Sequence, residues 1–249
     1  MPCSISPRLG RRALLAATAQ ASTLLAPTLA RAEGDPVDVL LVLAVDVSRS
    51  VDEDEAGLQR EGYRNAVADP VVVEAIRGGM MGAIGLAYVE WAGAEYQRLV
   101  LPWTRIAGAG DAQAWSERLA EAPRASLSWT SISGALDFSL KVLNDAPLEA
   151  TRRVIDVSGD GVNNSGGPVD LARDRVVAEG ITINGLPIVN DRPTFGRMPP
   201  VPLDDYYREN VIGGPGAFVI VAEDFQSFGN AVKRKLIREI AALPVPSKG

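Results

Sequence analysis

Apolar runs of strand length alternate with amphipathic segments of helix length along most of this sequence. The first run, residues 37–45, is broken only by Asp38, as expected for a strand buried on both faces of a parallel sheet. Strands that alternate with helices predict an α/β fold with a doubly wound, mostly parallel central sheet and helices on both faces. The stretch Gly93-Ala94-Glu95 lies between two apolar runs and predicts a hairpin-like connection, which makes one edge strand antiparallel.

The boundaries of the elements follow from the apolar periodicity. Strands are expected at residues 37–45, 81–91, 98–103, 153–158, 181–189 and 217–222. Helices are expected at residues 53–68, 111–121, 131–144, 169–179 and 225–243. Residues 190–203 contain four prolines and no periodic pattern, which predicts a long loop. In folds of this kind, ligands bind beyond the carboxyl ends of the strands.

The first 32 residues have the features of a cleaved signal peptide. Arginines precede an apolar stretch at residues 13–29, and Ala30-Arg31-Ala32 forms an A-x-A cleavage site. The pair Arg11-Arg12 and the polar residues within the apolar stretch favour a twin-arginine-like signal over a Sec signal. The stretch is too short and too interrupted for a membrane span. We therefore expect a periplasmic or secreted protein in which residues 33–249 form a single domain.

Composition excludes several kinds of chemistry and of partner. The sequence has no histidine, and its single cysteine is Cys3, inside the predicted signal peptide. Ser-His-Asp triads, cysteine nucleophiles, histidine-bound haem and the usual zinc sites are therefore excluded. Cleavage after residue 32 removes four arginines and no acid, so the net charge changes from -6 to -10. This charge argues against nucleic acid and anionic membrane surfaces as partners.

Three oxygen-bearing side chains follow the first predicted strand, in the segment Asp46-Val47-Ser48-Arg49-Ser50. Residues two apart in an extended chain face the same way, so Asp46, Ser48 and Ser50 project together. Thr130 precedes a predicted helix, and Asp160 follows a predicted strand. All three segments leave the same edge of the sheet, so we expect these five residues to form one site.

Two carboxylates and three hydroxyls make an all-oxygen site whose two negative charges balance a divalent cation. Magnesium prefers near-octahedral oxygen coordination with several waters retained, so the site is expected to bind Mg2+, and Mn2+ or Ca2+ would also fit. A helix cap is the alternative, because Ser50 or Asp52 can accept a hydrogen bond from the start of a helix. The acidic run at residues 52–55 is expected in the first turn of that helix, where the dipole favours acids, rather than in a calcium site.

The order Asp46-x-Ser48-x-Ser50, Thr130 and Asp160-Gly161 resembles the metal-ion-dependent adhesion site of von Willebrand factor type A (VWA) domains. The resemblance covers nearly all of residues 33–249 and includes the helix motif Thr-Ser-Ile-Ser-Gly-Ala-Leu at 130–136. Residues 153–161 and 206–214 further resemble an uncharacterised bacterial, exported branch of this fold. The sequence departs from the family at Ser158-Gly159, where a threonine is more common.

The resemblance implies a VWA/Rossmann-like fold and a protein partner whose acidic side chain completes the coordination of the metal. It implies Ser48 and Ser50 as direct ligands, with Asp46, Thr130 and Asp160 binding directly or through water. The expected function is a non-enzymatic, exported adhesion or scaffold module that captures a carboxylate of a partner protein through the divalent cation.

Two alternatives remain open. A metal-dependent phosphohydrolase would use Asp46 as its nucleophile, but such enzymes usually carry a second aspartate two residues later as acid and base, where this chain has Ser48. In the other alternative, the metal site is structural and the segment 190–207 carries recognition. The sequence gives no indication of the partner's identity or of the oligomeric state.

Other polar and aromatic residues are interpreted as follows. Asp156 lies within an apolar strand and is expected to accept hydrogen bonds from backbone or hydroxyl donors. The segment 163–167 is expected to be a flexible rim of the site, and Trp129 is a candidate for a ligand-contacting surface. Four basic residues are expected on the solvated face of the last helix: Lys233, Arg234, Lys235 and Arg238.

Overall fold

Seven strands are present in the part of the chain that the computed structural model describes, which comprises Met1, residues 35–189 and residues 201–241. They are β1 (Pro36–Val37), β2 (Leu40–Asp46), β3 (Ile84–Trp91), β4 (Gln97–Ile106), β5 (Glu149–Ala150), β6 (Arg153–Gly159) and β7 (Thr182–Pro187). Five of them form the central sheet in the order β4-β3-β2-β6-β7, in which only β4 is antiparallel to its neighbour. Strands β1 and β5 form a separate parallel pair. The predicted sheet, mostly parallel with one antiparallel edge strand, is confirmed.

Helices cover both faces of this sheet, as predicted. They are α1 (Glu53–Val67), α2 (Pro70–Arg77), α3 (Ala109–Glu121), α4 (Ile132–Asn144), α5 (Val169–Ala178), α6 (Leu203–Tyr206), a π-helix (Tyr207–Val211) and α7 (Phe228–Ala241). Side chains of β2 alternate between two apolar cores. Leu41 and Leu43 pack in the core that contains residues of α1, α2, α3 and α7, whereas Leu40 and Val42 pack in the core that contains residues of α4, α5 and the π-helix.

Strand β2 positions the predicted site. All seven of its residues are buried, which explains why its sequence is continuously apolar up to the terminal Asp46. Strand β6 lies beside it in parallel, with Ser158 opposite Val45. Because parallel neighbours end at the same edge of a sheet, the residues that follow β2 and β6 are brought together there.

The acidic run after β2 begins helix α1. The Asp52 side chain accepts a hydrogen bond from the backbone N–H of Glu55, and the Glu55 carboxylate accepts one from the backbone N–H of Asp52, both at 2.9 Å. This reciprocal capping box satisfies two N–H groups at the helix start, and a cap of this kind contributes about 1 kcal/mol. The interpretation of residues 52–55 as a helix start is confirmed.

Several elements differ from the sequence-based expectations, and the two clearest are α2 and the segment 217–222. Helix α2 was not predicted because three consecutive valines have low helix propensity, although Asp69 caps it and Pro70 occupies its first position. The strand expected at residues 217–222 is wrong, since only isolated bridges at Val219 and Ala222 join it to the region of β7. The Asn184 side chain accepts a hydrogen bond from the backbone N–H of Phe218, so this N–H is not available for a regular strand ladder.

Other expectations fall wholly or partly outside the described residues. The predicted signal peptide lies outside them except for Met1. Residues 190–200 of the predicted loop and the part of the last predicted helix beyond residue 241 also lie outside them. The loop was expected to reach residue 203, which is instead the first residue of the short helix α6. The π-helix follows α6 directly. Among the described helices, none combines the length and the apolar character that crossing a bilayer requires.

The expected environments of Asp156 and Lys235 are wrong. Lys235, on α7, is completely buried, and its Nζ lies 2.6 Å from Oδ1 of Asp156 and 2.7 Å from Oε1 of Glu239. Asn184 donates a further hydrogen bond to Glu239. An ammonium group, rather than backbone or hydroxyl donors, is thus the partner of Asp156, because α7 packs this polar position against the middle of the sheet.

Candidate metal centre

The five predicted ligand residues lie at one edge of the central sheet. Asp46 ends β2, and Ser48 and Ser50 lie in the turn before α1. Asp160 directly follows β6, and Thr130 lies two residues before the first residue of α4. The sequence-based expectation that three distant segments meet at this edge therefore agrees with the structure, while the role of these residues as ligands stays a prediction.

Short contacts link four of the five residues in a continuous chain. The backbone N–H of Ser48 donates to Oδ1 of Asp46 at 2.7 Å. The hydroxyls of Ser48 and Ser50 are 2.9 Å apart, and the Ser50 hydroxyl donates to Oδ1 of Asp160 at 2.7 Å. Oxygen atoms from both segments thus lie close enough to share a single small cation.

Thr130 faces the loop that carries Asp160. A Cβ atom placed on Gly161 would lie 3.6 Å from Oγ1 of Thr130, which is an ordinary van der Waals distance. The position of Thr130 is set by its backbone: its N–H donates to the Asn164 side chain at 2.8 Å, and its carbonyl accepts from the N–H groups of Asn164 and Ser165. The fifth predicted donor is therefore held beside Gly161, the residue that follows Asp160.

Burial and charge at this edge favour a cation. Asp46 is completely buried, Asp160 is 6% exposed, and Oδ2 of Asp46 accepts no hydrogen bond from the described residues. Burial raises the pKa of Asp46 well above its usual value, and the negative charge of Asp160 raises it further. A divalent cation would relieve this repulsion, and carboxylate and hydroxyl oxygens are the donors that Mg2+ prefers.

The donor set is poor in carboxylates. Within the described ranges, no group of three or more Asp, Glu, His or Cys side chains is arranged to hold a metal ion. The candidate centre has two carboxylates, so the hydroxyls of Ser48, Ser50 and Thr130 would have to supply part of the coordination. This composition distinguishes the site from acidic calcium loops.

Two asparagines next to the site were not assigned a role from the sequence. Asn164 accepts from the backbone N–H of Thr130, and Asn163 accepts from the backbone N–H of Ser133 at 3.1 Å. The N–H of Asn163 also donates to the Tyr206 hydroxyl at 3.3 Å. Side-chain hydrogen bonds therefore join this segment to α4 and α6, and the flexibility expected of the rim stays a prediction.

Tyr207 was also not assigned a role at the site from the sequence. Its side chain is completely buried, and a Cβ atom placed on Gly159 would lie 3.0 Å from the Tyr207 hydroxyl and 2.8 Å from Oδ2 of Asp46. Burial raises the pKa of Tyr207 well above its usual value, and the charges of Asp46 and Asp160 raise it further. The only signal in the sequence was the resemblance of residues 206–214 to a bacterial branch of the VWA fold.

Trp129 marks the outer surface of the site. Its side chain is 56% exposed, and its φ of 73° lies in the left-handed region, which a bulky residue rarely adopts. Leu127, two residues earlier, is also exposed and forms a backbone bridge with Ser48. An aromatic side chain thus stands at the surface directly beside Thr130.

Solved structures with the same fold are VWA proteins and adhesins. Proximal thread matrix protein 1 of the mussel byssus matches with a TM-score of 0.60 and 13% identity, over 84% of this chain and 49% of that chain. A von Willebrand factor type A protein from Catenulispora acidiphila matches with a TM-score of 0.57 and 15% identity, over 82% and 43%. The pilus adhesin SpaC of Lactobacillus rhamnosus GG matches with a TM-score of 0.57 and 16% identity, over 84% and 30%.

A further structure of the mussel protein carries zinc in its metal-ion-dependent adhesion site (MIDAS) motif. It matches with a TM-score of 0.59 and 14% identity, over 84% of this chain and 50% of that chain. This chain spans half or less of the length of these proteins. These matches show that the fold is that of a VWA-like domain, as the sequence resemblance implied.

Residues 36–244 match the model of the family described as Protein of unknown function (DUF1194), and the chain belongs to that family. The match covers almost all of the predicted mature region. No curated protein sequence matches the chain.

Proposed function

We propose that this chain is an exported VWA-like module that binds a partner protein through a divalent cation. The observation that carries the proposal is the meeting of Ser48 and Ser50 with Asp160 in one chain of short oxygen contacts. These contacts bring hydroxyl and carboxylate oxygens of distant segments together, and such oxygens are the ligands that Mg2+ prefers.

In this proposal, Mg2+ is the resident ion, and Mn2+ or Ca2+ can replace it. Five residues would hold it directly or through water: Asp46, Ser48, Ser50, Thr130 and Asp160. Their two carboxylates would balance the formal charge of a divalent ion. The bound ion would supply an electrophilic anchor for an oxygen atom of another molecule.

The proposed partner is a protein that presents a carboxylate to this ion. The similar structures include a pilus adhesin and a thread matrix protein of the mussel byssus, which supports a role in protein binding. Arg49, between the two site serines, is exposed and adds positive charge for an acidic partner. Exposed Trp129 offers the aromatic area that frequently dominates binding energy at protein interfaces.

Export follows from the N-terminal sequence. The arginine pair, the apolar stretch and the A-x-A site support delivery of residues 33–249 to the periplasm or the cell exterior. Appearance of a protein cut after residue 32 in a periplasmic fraction would support this part of the proposal. Retention of the full-length chain in the cytoplasm would contradict it.

The binding proposal can be tested by capturing partners from periplasmic extract. The mature protein is immobilised and incubated with magnesium or with EDTA, alongside the Asp46→Ala variant. Asp54→Asn is the matched control, because Asp54 is an exposed acid in the first turn of α1. We expect partners that bind the wild type and Asp54→Asn in magnesium only. Partners that bind equally in EDTA and to Asp46→Ala would contradict the proposal.

The hydrolase alternative is disfavoured by the position of Asp46. Its carboxylate is completely buried, and Oδ1 already accepts the N–H of Ser48, so attack on a phosphate ester would require the site to open. Ser48 occupies the position where the acid-base residue would stand, and a serine does not perform that role. Turnover of generic phosphate esters that Asp46→Asn abolishes would revive this alternative.

A further inference from the structure

The π-helix Tyr207–Val211 brings a tyrosine to the candidate metal centre. Single-turn π-helices are rare, and those that occur often lie at functional sites. The Tyr207 ring approaches two strands of the sheet at glycines: a Cβ atom on Gly185 of β7 would lie 2.8 Å from its Cδ1, and one on Gly159 of β6 would lie 3.0 Å from its hydroxyl. Two adjacent strands thus lack a side chain where this ring lies.

The Tyr207 hydroxyl and the Asp46 carboxylate meet above Gly159. Because both oxygens lie within 3.0 Å of the same point, they are less than about 6 Å apart. That separation suits a hydrogen bond after a small shift, or one bridging water. It also accounts for the departure from the VWA pattern at Ser158-Gly159, since a side chain at residue 159 would displace the hydroxyl or the carboxylate.

Each group has one oxygen atom without a hydrogen-bond partner among the described residues. Oδ1 of Asp46 accepts the N–H of Ser48, but Oδ2 accepts nothing, and the buried Tyr207 hydroxyl donates to nothing. A buried polar group without a partner is costly, and most such groups in native proteins are satisfied. Here an unsatisfied donor and an unsatisfied acceptor lie within about 6 Å of each other.

We propose that Tyr207 is a positioning residue that donates a hydrogen bond to Oδ2 of Asp46 when the metal is bound. The bond, direct or through one water, fixes the orientation of the carboxylate while its other oxygen is held by Ser48. Residues that orient metal ligands in this way typically change metal affinity by 10- to 100-fold when they are removed. This inference rests on the proposed metal-binding function.

The test compares Tyr207→Phe with Tyr63→Phe in the mature protein. Tyr63 is equally buried but packs in the core on the opposite face of the sheet, where its hydroxyl donates to Ser158 at 2.9 Å. Affinity for Mg2+ and Mn2+ is measured by isothermal titration calorimetry. The melting temperature is measured in EDTA, which reports on the fold without metal.

The two variants are expected to give opposite patterns. Tyr207→Phe should weaken metal affinity about 10-fold and leave the melting temperature in EDTA unchanged or higher, because it removes an unsatisfied buried hydroxyl. Tyr63→Phe should leave metal affinity unchanged and lower the melting temperature by a few degrees, because it removes a hydrogen bond that is made.

The outcomes separate this inference from the function on which it rests. If the wild type binds metal and Tyr207→Phe binds it equally well, the positioning role is wrong and the metal site stands. A loss of affinity with an equal loss of stability in EDTA would also overturn it, since the hydroxyl would then serve the fold. If the wild type takes up no Mg2+, Mn2+ or Ca2+, both proposals are overturned.

Discussion

The Ser50 hydroxyl donates a 2.7 Å hydrogen bond to Oδ1 of Asp160, although the two residues are 110 positions apart in the sequence. The bond joins the loop after β2 to the loop after β6, and Ser50 is in turn 2.9 Å from the Ser48 hydroxyl. The short side chains of Ser48, Ser50 and Asp160 are thereby held together with little rotational freedom. Preassembly of this kind lowers the entropic cost of closing a ligand shell around an ion.

The first prediction concerns Asp160→Asn. In the wild type, Mg2+ at 100 times its Kd should add about 2.7 kcal/mol to the free energy of unfolding. In Asp160→Asn this increment should largely disappear, because the amide lacks the charge that attracts the ion. Without metal the variant should still fold, because an amide oxygen can accept the hydrogen bond that the Ser50 hydroxyl donates.

Thermal unfolding with and without magnesium measures both effects. Asp54→Asn is again the control, because Asp54 lies in the acidic first turn of α1 and outside the proposed ligand set. A wild-type increment that survives in Asp160→Asn would contradict the assignment of Asp160. An increment that is lost in Asp54→Asn would instead point to the acidic run as the ion's site.

The second prediction concerns Gly159→Ala. The added methyl would lie 2.8 Å from Oδ2 of Asp46 and 3.0 Å from the Tyr207 hydroxyl, closer than carbon and oxygen normally approach. We expect weaker metal binding and a loss of about 1–3 kcal/mol in the free energy of unfolding, as for other overpacked cores. Calorimetry and urea denaturation provide the measurements.

Gly110→Ala is the control for the added methyl group. Gly110 lies in α3, and a Cβ atom there would meet nothing within 4 Å. This substitution should leave metal affinity unchanged and add about 0.5–1 kcal/mol of stability, because alanine favours a helix more than glycine does. Normal metal affinity in Gly159→Ala would show that Asp46 and Tyr207 can move apart freely.

The parts of the fold and site that the sequence predicted depend on local patterns. Strand β2 could be recognised because a strand covered on both faces must be apolar along its whole length, and Asp46 marks its end. The convergence with Asp160 followed from the rule that parallel strands end at one edge. Thr130 was included because it precedes a predicted helix, and the VWA resemblance then supported that choice.

The parts that were missed depend on packing between distant segments. Tyr207 reaches Asp46 because glycines on two strands leave room for its ring, and no local pattern records such a pairing. Lys235 has the appearance of a solvated residue on an amphipathic helix, but it points into the sheet and meets Asp156. Polar residues that find their partners only in the tertiary structure are where pattern-based interpretation is expected to fail.

The third prediction concerns Trp129. Its left-handed backbone, with φ at 73°, costs a non-glycine residue about 1–2 kcal/mol. Trp129→Gly should therefore be about 1 kcal/mol more stable than Trp129→Ala, which retains the strain. Both variants should bind metal as the wild type does and lose affinity for the protein partner, because the exposed indole is removed.

Urea denaturation, calorimetry and the magnesium-dependent capture assay test these three effects separately. Equal stability of the glycine and alanine variants would show that the backbone carries no strain at this position. Undiminished capture by both variants would exclude Trp129 from the partner surface. Such a result would leave the metal site itself unaffected.

A buried cluster between α7 and the middle of the sheet combines one ammonium group with two carboxylates. Lys235 contacts both Asp156 and Glu239, and all three side chains are almost completely excluded from solvent. Burial raises the pKa of Asp156 to about 7, because its effect and that of Glu239 outweigh the opposing effect of Lys235. Asp156 therefore keeps its proton below about pH 7, where Glu239 is the charged partner of Lys235.

The fourth prediction is the pH dependence that Asp156 imposes on stability. Between pH 4 and 7 the folded protein retains the proton on Asp156 while the unfolded chain has lost it, so folding binds a proton and stability falls as pH rises. The contribution is present in full below about pH 4 and is lost above about pH 7. Asp156→Asn keeps the shape of the side chain and cannot titrate. Its stability relative to the wild type should therefore increase with pH by a few kcal/mol, on the order given by linkage.

Urea denaturation of both proteins in EDTA at pH 5, 6, 7 and 8 measures this difference. Because Asp46 titrates in both proteins, its effect on the difference cancels. Parallel pH profiles of the two proteins would show that Asp156 is charged throughout and that the ion pair with Lys235 outweighs burial.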